Sequence, residues 1–120
     1  QNQVWMGGGV GIAPFISWAN DLKRTPQSDI NAELYYCVNT EKEATHLQLF
    51  RDLEEQMEGF RMNLIRADVE GFMKPEEIEG IREKEIFICG PKEMRKDLLP
   101  KLRNQGVSDD AIHYEDFDFS

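Results

Sequence analysis

Gly7-Gly8-Gly9-Val10-Gly11-Ile12-Ala13-Pro14 follows the apolar run Val4-Trp5-Met6 and precedes Phe15-Ile16-Ser17-Trp18-Ala19. The order is a strand, a glycine turn and a helix start. Glycine tolerates φ > 0 and has no side chain, so a ligand can come close to the backbone there. The helix behind the turn presents unpaired N–H groups and the positive end of its dipole, a combination that suits a phosphate. Pro14 fits the first helical turn, where its missing N–H costs nothing and its φ is already helical. The loop is therefore a candidate diphosphate cradle. Taken alone it is not decisive, because a strand-to-helix turn with glycines for packing has the same composition. The G-x-G-x-x-G fingerprint fails in each frame: Gly7-x-Gly9 leads to Ile12 and Gly9-x-Gly11 leads to Pro14. No Gly-Lys-Ser/Thr is present to make a P-loop.

The 120 residues are enough for one domain with a real core and too few for two. Apolar runs are only a few residues long, far short of a membrane span, and no signal peptide is visible. Fourteen basic against 23 acidic side chains give a net charge of −9, the opposite of a nucleic-acid binder's footprint and repelled by an anionic membrane. Cys37 and Cys89 stand far apart with no metal-ligand spacing, and no metal is expected. The cysteine usage points to a reduced, cytoplasmic setting. His46 and His113 lack partners at metal or triad spacing and read as surface or edge residues. Gln1 opens almost directly onto the first strand, so a piece of a longer protein is expected.

Outward from the loop, Phe15, Ile16, Trp18, Ala19 and Leu22 recur at helical spacing until Thr25-Pro26-Gln27-Ser28-Asp29 breaks the pattern. Leu34-Tyr35-Tyr36-Cys37-Val38 is apolar throughout, as in a strand covered on both faces. Ala44, Leu47, Phe50, Leu53 and Met57 form one stripe, predicting a helix over 41–58 ended by Gly59. Phe60 to Ile65 alternates and predicts an edge strand. Ala67 to Met73 reads as a loop, and Pro75-Glu76-Glu77 starts a short helix to about Ile81. Ile86-Phe87-Ile88-Cys89 is a buried strand ending at the turn dipeptide Gly90-Pro91. Met94, Leu98 and Leu102 mark the next helix, in which Pro100 predicts a kink or an early end. Gly106 closes it and Ser108 caps a short turn. His113 to Phe119 is the last strand, with a phase slip between Tyr114 and Phe117 that hints at a bulge. Five strands alternating with helices make an α/β fold with a parallel sheet. Ligands bind such sheets beyond the strands' carboxyl ends, where the strand order reverses.

Gly8-Gly9-Val10-Gly11-Ile12-Ala13-Pro14, Cys89-Gly90-Pro91-Lys92-Glu93-Met94 and Glu115-Asp116-Phe117 together resemble the nicotinamide-nucleotide half of the ferredoxin-NADP reductase superfamily. The resemblance covers nearly the whole chain. Tyr35-Tyr36-Cys37-Val38-Asn39-Thr40 and the Glu-rich stretch after it look most like the ferric reductase and NADPH oxidase branch. The resemblance implies a single doubly wound five-stranded parallel sheet, order 3-2-1-4-5, with helices on both faces. It implies that residues 1–120 are an NAD(P)H-binding domain. FAD would sit on a separate flavin-binding domain absent from this chain, whose Arg-x-Tyr/Phe-Ser/Thr signature is not found here. Hydride would pass from nicotinamide to flavin and electrons onward to an acceptor such as ferric iron or haem. The implied partners are that flavin-binding domain and a membrane haem domain, which would put the chain on the cytoplasmic face of a membrane protein. Alone, the fragment is expected to be inactive.

Residue by residue, the resemblance makes Gly8 to Pro14, Val10 included, the cofactor-binding loop. Gly8, Gly9, Gly11 and Ile12 surround the pyrophosphate, and amides near Ala13 and Phe15 donate to it. Ala13 stands where relatives often carry threonine, so a hydroxyl is lost while the backbone donors remain. Cys89 and Glu115 are the implied catalytic residues, Cys89 beside the nicotinamide ring. Gly90 and Pro91 shape the turn, Met94 packs beneath it or near the ribose, and Phe117 or Phe119 approaches the flavin. Each has a plainer reading as core or sheet-edge packing. Asn39 and Thr40 stand where NADP-preferring relatives often have Ser or Arg, and Lys42 lies between Glu41 and Glu43; these acids lean against a 2′-phosphate, which Thr40, Lys42 and Arg66 could still hold, leaving NADH and NADPH both open. Two rivals remain. The electron-transfer subunits of dihydroorotate dehydrogenase and hydrogenase type share the glycine and Cys-Gly-Pro motifs but usually add a cysteine cluster. A non-enzymatic receiver-like module would need a lysine on the last strand, and none is present.

Overall fold

Strand and helix alternate along the chain and assemble one sheet in which β1 (Asn2–Gly8) is central. The computed structural model describes residues 2–24, 30–71 and 73–116. The other strands are β2 (Asn31–Val38), β3 (Phe60–Arg66), β4 (Glu85–Gly90) and β5 (Ile112–Asp116). All four pairings are parallel, as the alternation of elements predicts, and the order is β3-β2-β1-β4-β5, as the resemblance implies. The helices are α1 (Ala13–Arg24), α2 (Leu47–Gln56), α3 (Ala67–Glu70) and α4 (Lys92–Asn104).

The inner strands β1, β2 and β4 carry apolar runs because both sheet faces are covered there, while the edge strands β3 and β5 include polar residues such as Arg61, Asn63 and His113. On one face Trp5, Leu34, Tyr36 and Phe60 meet Phe15 and Ala19 of α1 and Phe50 and Leu53 of α2. On the other, Val4, Met6, Ile86 and Ile88 meet Leu98 and Leu102 of α4, with Ile78, Ile81 and Val107 from the neighbouring turns. Each fully buried side chain of this kind contributes roughly 1.5–3 kcal/mol. Trp5 stacks on Phe15 with centroids 5.5 Å apart, which fixes the start of α1 against the central strand.

Several elements depart from the sequence reading. The predicted helix over 41–58 is two pieces, a 3-10 turn at Glu41–Glu43 and α2, which begins only at Leu47. Ala44 leaves helical geometry at φ −82°, ψ 66°. The cause is local: the Glu43 carboxylate accepts from the Asn39 N–H, four residues earlier, at 3.0 Å, so the turn folds back on the end of β2 rather than extending α2. Gly59 does not end the helix, because Met57 is already extended. A Cβ at Gly59 would lie 2.3 Å from the Ile30 carbonyl oxygen, so close backbone approach is what requires glycine there. The stretch after Pro75 forms two 3-10 turns, Pro75–Glu77 and Ile81–Glu83, split by Gly80 at φ 69°. Burying Ile78 and Ile81 on the sheet draws the chain out of a single helix.

Pro100 does not end α4, which runs on to Asn104 with Leu102 buried in its last turn. The missing hydrogen bond costs about 3 kcal/mol, and burial of Leu98, Leu102 and Val107 offsets it. Gly106 closes the helix at φ 84°: its N–H reaches the Arg103 carbonyl and that of Val107 the Leu102 carbonyl, the paired bonds of a Schellman ending. The Ser108 hydroxyl accepts from the Asp110 N–H at 3.3 Å, the predicted cap. The predicted bulge and the strand beyond Asp116 lie outside the described residues, as do Phe117 and Phe119.

Candidate functional site

The strand order reverses at β1, which has β2 on one side and β4 on the other. Beyond the carboxyl ends of these strands lies a cleft of about 390 Å³, inside the range of roughly 300–1,000 Å³ usual for small-ligand sites. Its floor is Gly8 and Gly9 at the end of β1 with Cys37, Val38 and Asn39 at the end of β2. One wall is Pro91, Met94 and Leu98, the other Ile65, Ala67 and Met73. A second hollow of about 330 Å³, lined by Gln3, Trp5, Trp18 and Phe87, lies at the other end of the strands and holds none of the predicted residues.

The glycines of the loop serve separate purposes. Gly9 has φ 57°, and a Cβ built on it meets nothing within 4 Å. It supplies the turn and an open flank on the cleft. Gly11 faces the other way: its Cβ would lie 2.2 Å from the Cys89 carbonyl oxygen and 2.5 Å from the Gly90 Cα, locking the loop onto β4. Met94 couples the two motifs, since its sulfur lies 3.0 Å and 2.8 Å from the Cβ positions of Gly8 and Gly90. Ile12 and Phe15 are buried in the core and hold the loop down, while Val10 lies in the 3-10 turn Gly9–Ile12. Ala13 and Pro14 open α1, as predicted.

Of the predicted site residues, Gly8, Gly9, Asn39, Pro91 and Met94 come together in the cleft. Gly11, Ile12, Gly90 and Cys89 stand behind it. Cys89 is 4% exposed and belongs to the core on the α1 side of the sheet. In register, Cys89 pairs with Glu115, so the main chains of these two positions are neighbours on β4 and β5. Thr40 follows β2, exposed and outside the lining.

On the β3 side Ala67, Gly71 and Met73 line the cleft with nothing in their spacing to mark them, and Glu43, which the sequence offers only as a neighbour of Lys42, joins them after β2. Their signal was positional: they follow strands that end on the same rim. That rim is tied together by the Asp68 N–H donating to the Asn39 carbonyl at 3.1 Å, and by Arg66, which pairs with Asp68 at 3.3 Å and Glu41 at 3.6 Å. Cys37 meets the cleft with a thiol that burial pushes up to about 12, so it is no nucleophile at neutral pH.

Residues 6–99 match the family model described as the oxidoreductase NAD-binding domain. The chain belongs to that family. The flavohem-like FAD/NAD binding domain of nitric oxide dioxygenase from Vibrio cholerae superposes with a TM-score of 0.81 at 28% identity, over 96% of this chain and 50% of that one. One component of the Na(+)-translocating NADH-quinone reductase of Idiomarina loihiensis is 26% identical, covering 95% of this chain and 32% of that protein. The flavohemoprotein of Bacillus anthracis is 27% identical with the same coverage. This NAD-binding domain therefore spans about a third of the curated relatives it matches. The superfamily resemblance read from the sequence holds, its ferric reductase branch being the less specific part. Family membership sets aside the receiver-like reading.

Proposed function

We propose that this NAD-binding domain holds NAD(P)H across the carboxyl rim of its sheet and positions the nicotinamide for hydride transfer to FAD on a separate flavin-binding domain. Electrons then pass to a haem or quinone acceptor, by likeness to the flavohemoprotein and the quinone reductase. The observation that carries the reading is the cleft at the strand-order reversal, bounded by the glycine loop and by Pro91–Met94. The residues fit a dinucleotide: Gly9 leaves its flank open, the cleft volume suits a nucleoside, and the loop amides precede α1.

NAD(P)H supplies a hydride when bound, and the chain's own residues bind and orient. Gly8, Gly9 and the amides near Ala13 and Phe15 would hold the diphosphate, the positive end of α1 favouring its charge. Met94, Leu98 and Met73 would offer an apolar wall to the adenosine, and Asn39, at the end of β2, would be available to its ribose. Cys89 and Glu115, whose main chains are neighbours in register at the carboxyl ends of β4 and β5, are assigned to the nicotinamide end of the rim. Residues 1–120 are then one domain, with flavin and acceptor carried elsewhere. Among the described residues no helix is long and apolar enough to cross a membrane, so a membrane haem partner would bring its own spans.

The test is to follow the flavin's visible absorbance under NADH. The chain alone should reduce no added acceptor, whereas adding a flavin-loaded domain of the same superfamily should bleach the flavin. Turnover without any flavoprotein would contradict the proposal.

A further inference from the structure

We propose that the cleft selects a dinucleotide with a free 2′-hydroxyl on its adenosine ribose, NADH rather than NADPH, and that Glu43 sets this choice. The inference rests on the reading of the cleft as a dinucleotide site and adds its substrate class.

The charges around the cleft are one-sided. Glu43, Glu93 and Asp97 line it, and no lysine or arginine is among the described lining residues. A 2′-phosphate would add a charge of roughly −1.5 to −2 at neutral pH. Such a group needs an arginine or lysine to meet it, whereas an acid at the end of the second strand accepts from the ribose hydroxyls. Glu43 stands at that end, and its position is fixed: Oε2 accepts from the Asn39 N–H at 3.0 Å, and its own carbonyl is 3.5 Å from the Tyr36 hydroxyl. A carboxylate has a second oxygen with which to accept a hydroxyl proton.

The nearby cations are accounted for. Arg66, at the end of β3, is engaged by Glu41 at 3.6 Å and Asp68 at 3.3 Å, so two carboxylates already neutralise the guanidinium. Lys42 is exposed, stands between two glutamates and does not line the cleft. The predicted Ser-or-Arg position is filled by Asn39 and Thr40, neither charged. The 2′ position therefore meets negative potential with no opposing cation in the described lining.

Calorimetric titration of the chain with NADH and NADPH, and with AMP and adenosine 2′-monophosphate as smaller probes, tests the inference. The unphosphorylated member of each pair should bind at least about tenfold tighter at low salt, and the gap should shrink as salt screens the repulsion. Glu43→Gln keeps an acceptor for the Asn39 N–H while removing the charge, and should narrow the gap by roughly three- to tenfold. Its melting temperature, compared with wild type, verifies the fold, and the salt series on the unaltered chain needs no variant. Equal or tighter binding of the phosphorylated member would overturn the inference and leave the dinucleotide reading standing. An unchanged ratio in Glu43→Gln would remove Glu43 as the selecting residue. Absence of binding by all four ligands would instead sink the dinucleotide reading, and the inference with it.

Discussion

Replacing Gly11 by alanine puts a methyl group into backbone. Its Cβ would lie 2.2 Å from the Cys89 carbonyl oxygen, 2.4 Å from the carbonyl carbon and 2.5 Å from the Gly90 Cα. None of these atoms is the end of a flexible side chain. Either the loop lifts or the end of β4 moves, and β4 is held by parallel pairing to β1 and β5. Overpacking usually costs about 1–3 kcal/mol, and a clash with main chain belongs at the upper end. About 3 kcal/mol lowers the melting temperature of a domain of this size by roughly 10–15 °C. Gly9→Ala is the matched control, because its Cβ meets nothing within 4 Å and its only difficulty is φ 57°. That left-handed conformation costs a non-glycine residue roughly 1–2 kcal/mol, so its melting point should fall by roughly 4–8 °C. Thermal melts by circular dichroism on the three proteins give the ordering, and NADH titration should show the Gly11 variant binding weaker as well. A Gly11→Ala protein that melts with wild type, or above Gly9→Ala, would refute the claim that the loop is locked onto β4.

Met94→Ala removes the sulfur over Gly8 and Gly90 and should cost about 1–2 kcal/mol in denaturant unfolding, below the roughly 2–5 kcal/mol of a fully buried methionine because Met94 is half-buried. Gly90→Ala, whose Cβ would lie 2.8 Å from that sulfur, should be less harmful in the Met94→Ala background, and purely additive effects would contradict the coupling. Cys37 is pushed from 9.0 to about 12 by burial, so the unfolded thiol ionises first. Its stabilising effect is complete below about pH 9 and is lost as pH rises toward 12. Cys37→Ala should flatten the fall in melting temperature from roughly pH 8 to 11. Some slope should persist, because burial and the Glu33 carboxylate also raise the Tyr35 hydroxyl. Parallel slopes in the two proteins would contradict the assignment.

Much of the fold was legible because strands covered on both faces announce themselves as short apolar runs: Val4-Trp5-Met6, Leu34 to Val38 and Ile86 to Cys89 each form a strand of the sheet. The loop was legible as a turn, but not the division of labour within it. That Gly9 is open while Gly11 abuts Cys89 depends on β4, which is distant in sequence. The predicted helix over 41–58 departs from the structure for a local reason instead. The apolar stripe from Ala44 to Met57 is real, yet the Asn39–Glu43 hydrogen bond at the end of β2 outweighs helical period in its first turn. The same bond holds Glu43 beside the cleft, so the early break in the helix and the placing of that carboxylate share one cause. Pro100 was overweighted, because the burial of Leu102 that offsets it depends on the facing sheet.

The most direct measurement is a map of backbone amide shifts in the isotope-labelled chain as NADH is added. Shifts should concentrate at residues 8–15, 37–43, 65–71, 73 and 90–98, which border the cleft and its loop. Shifts confined to the opposite ends of the strands, around Gln3, Glu33, Arg61 and Lys84, would contradict it.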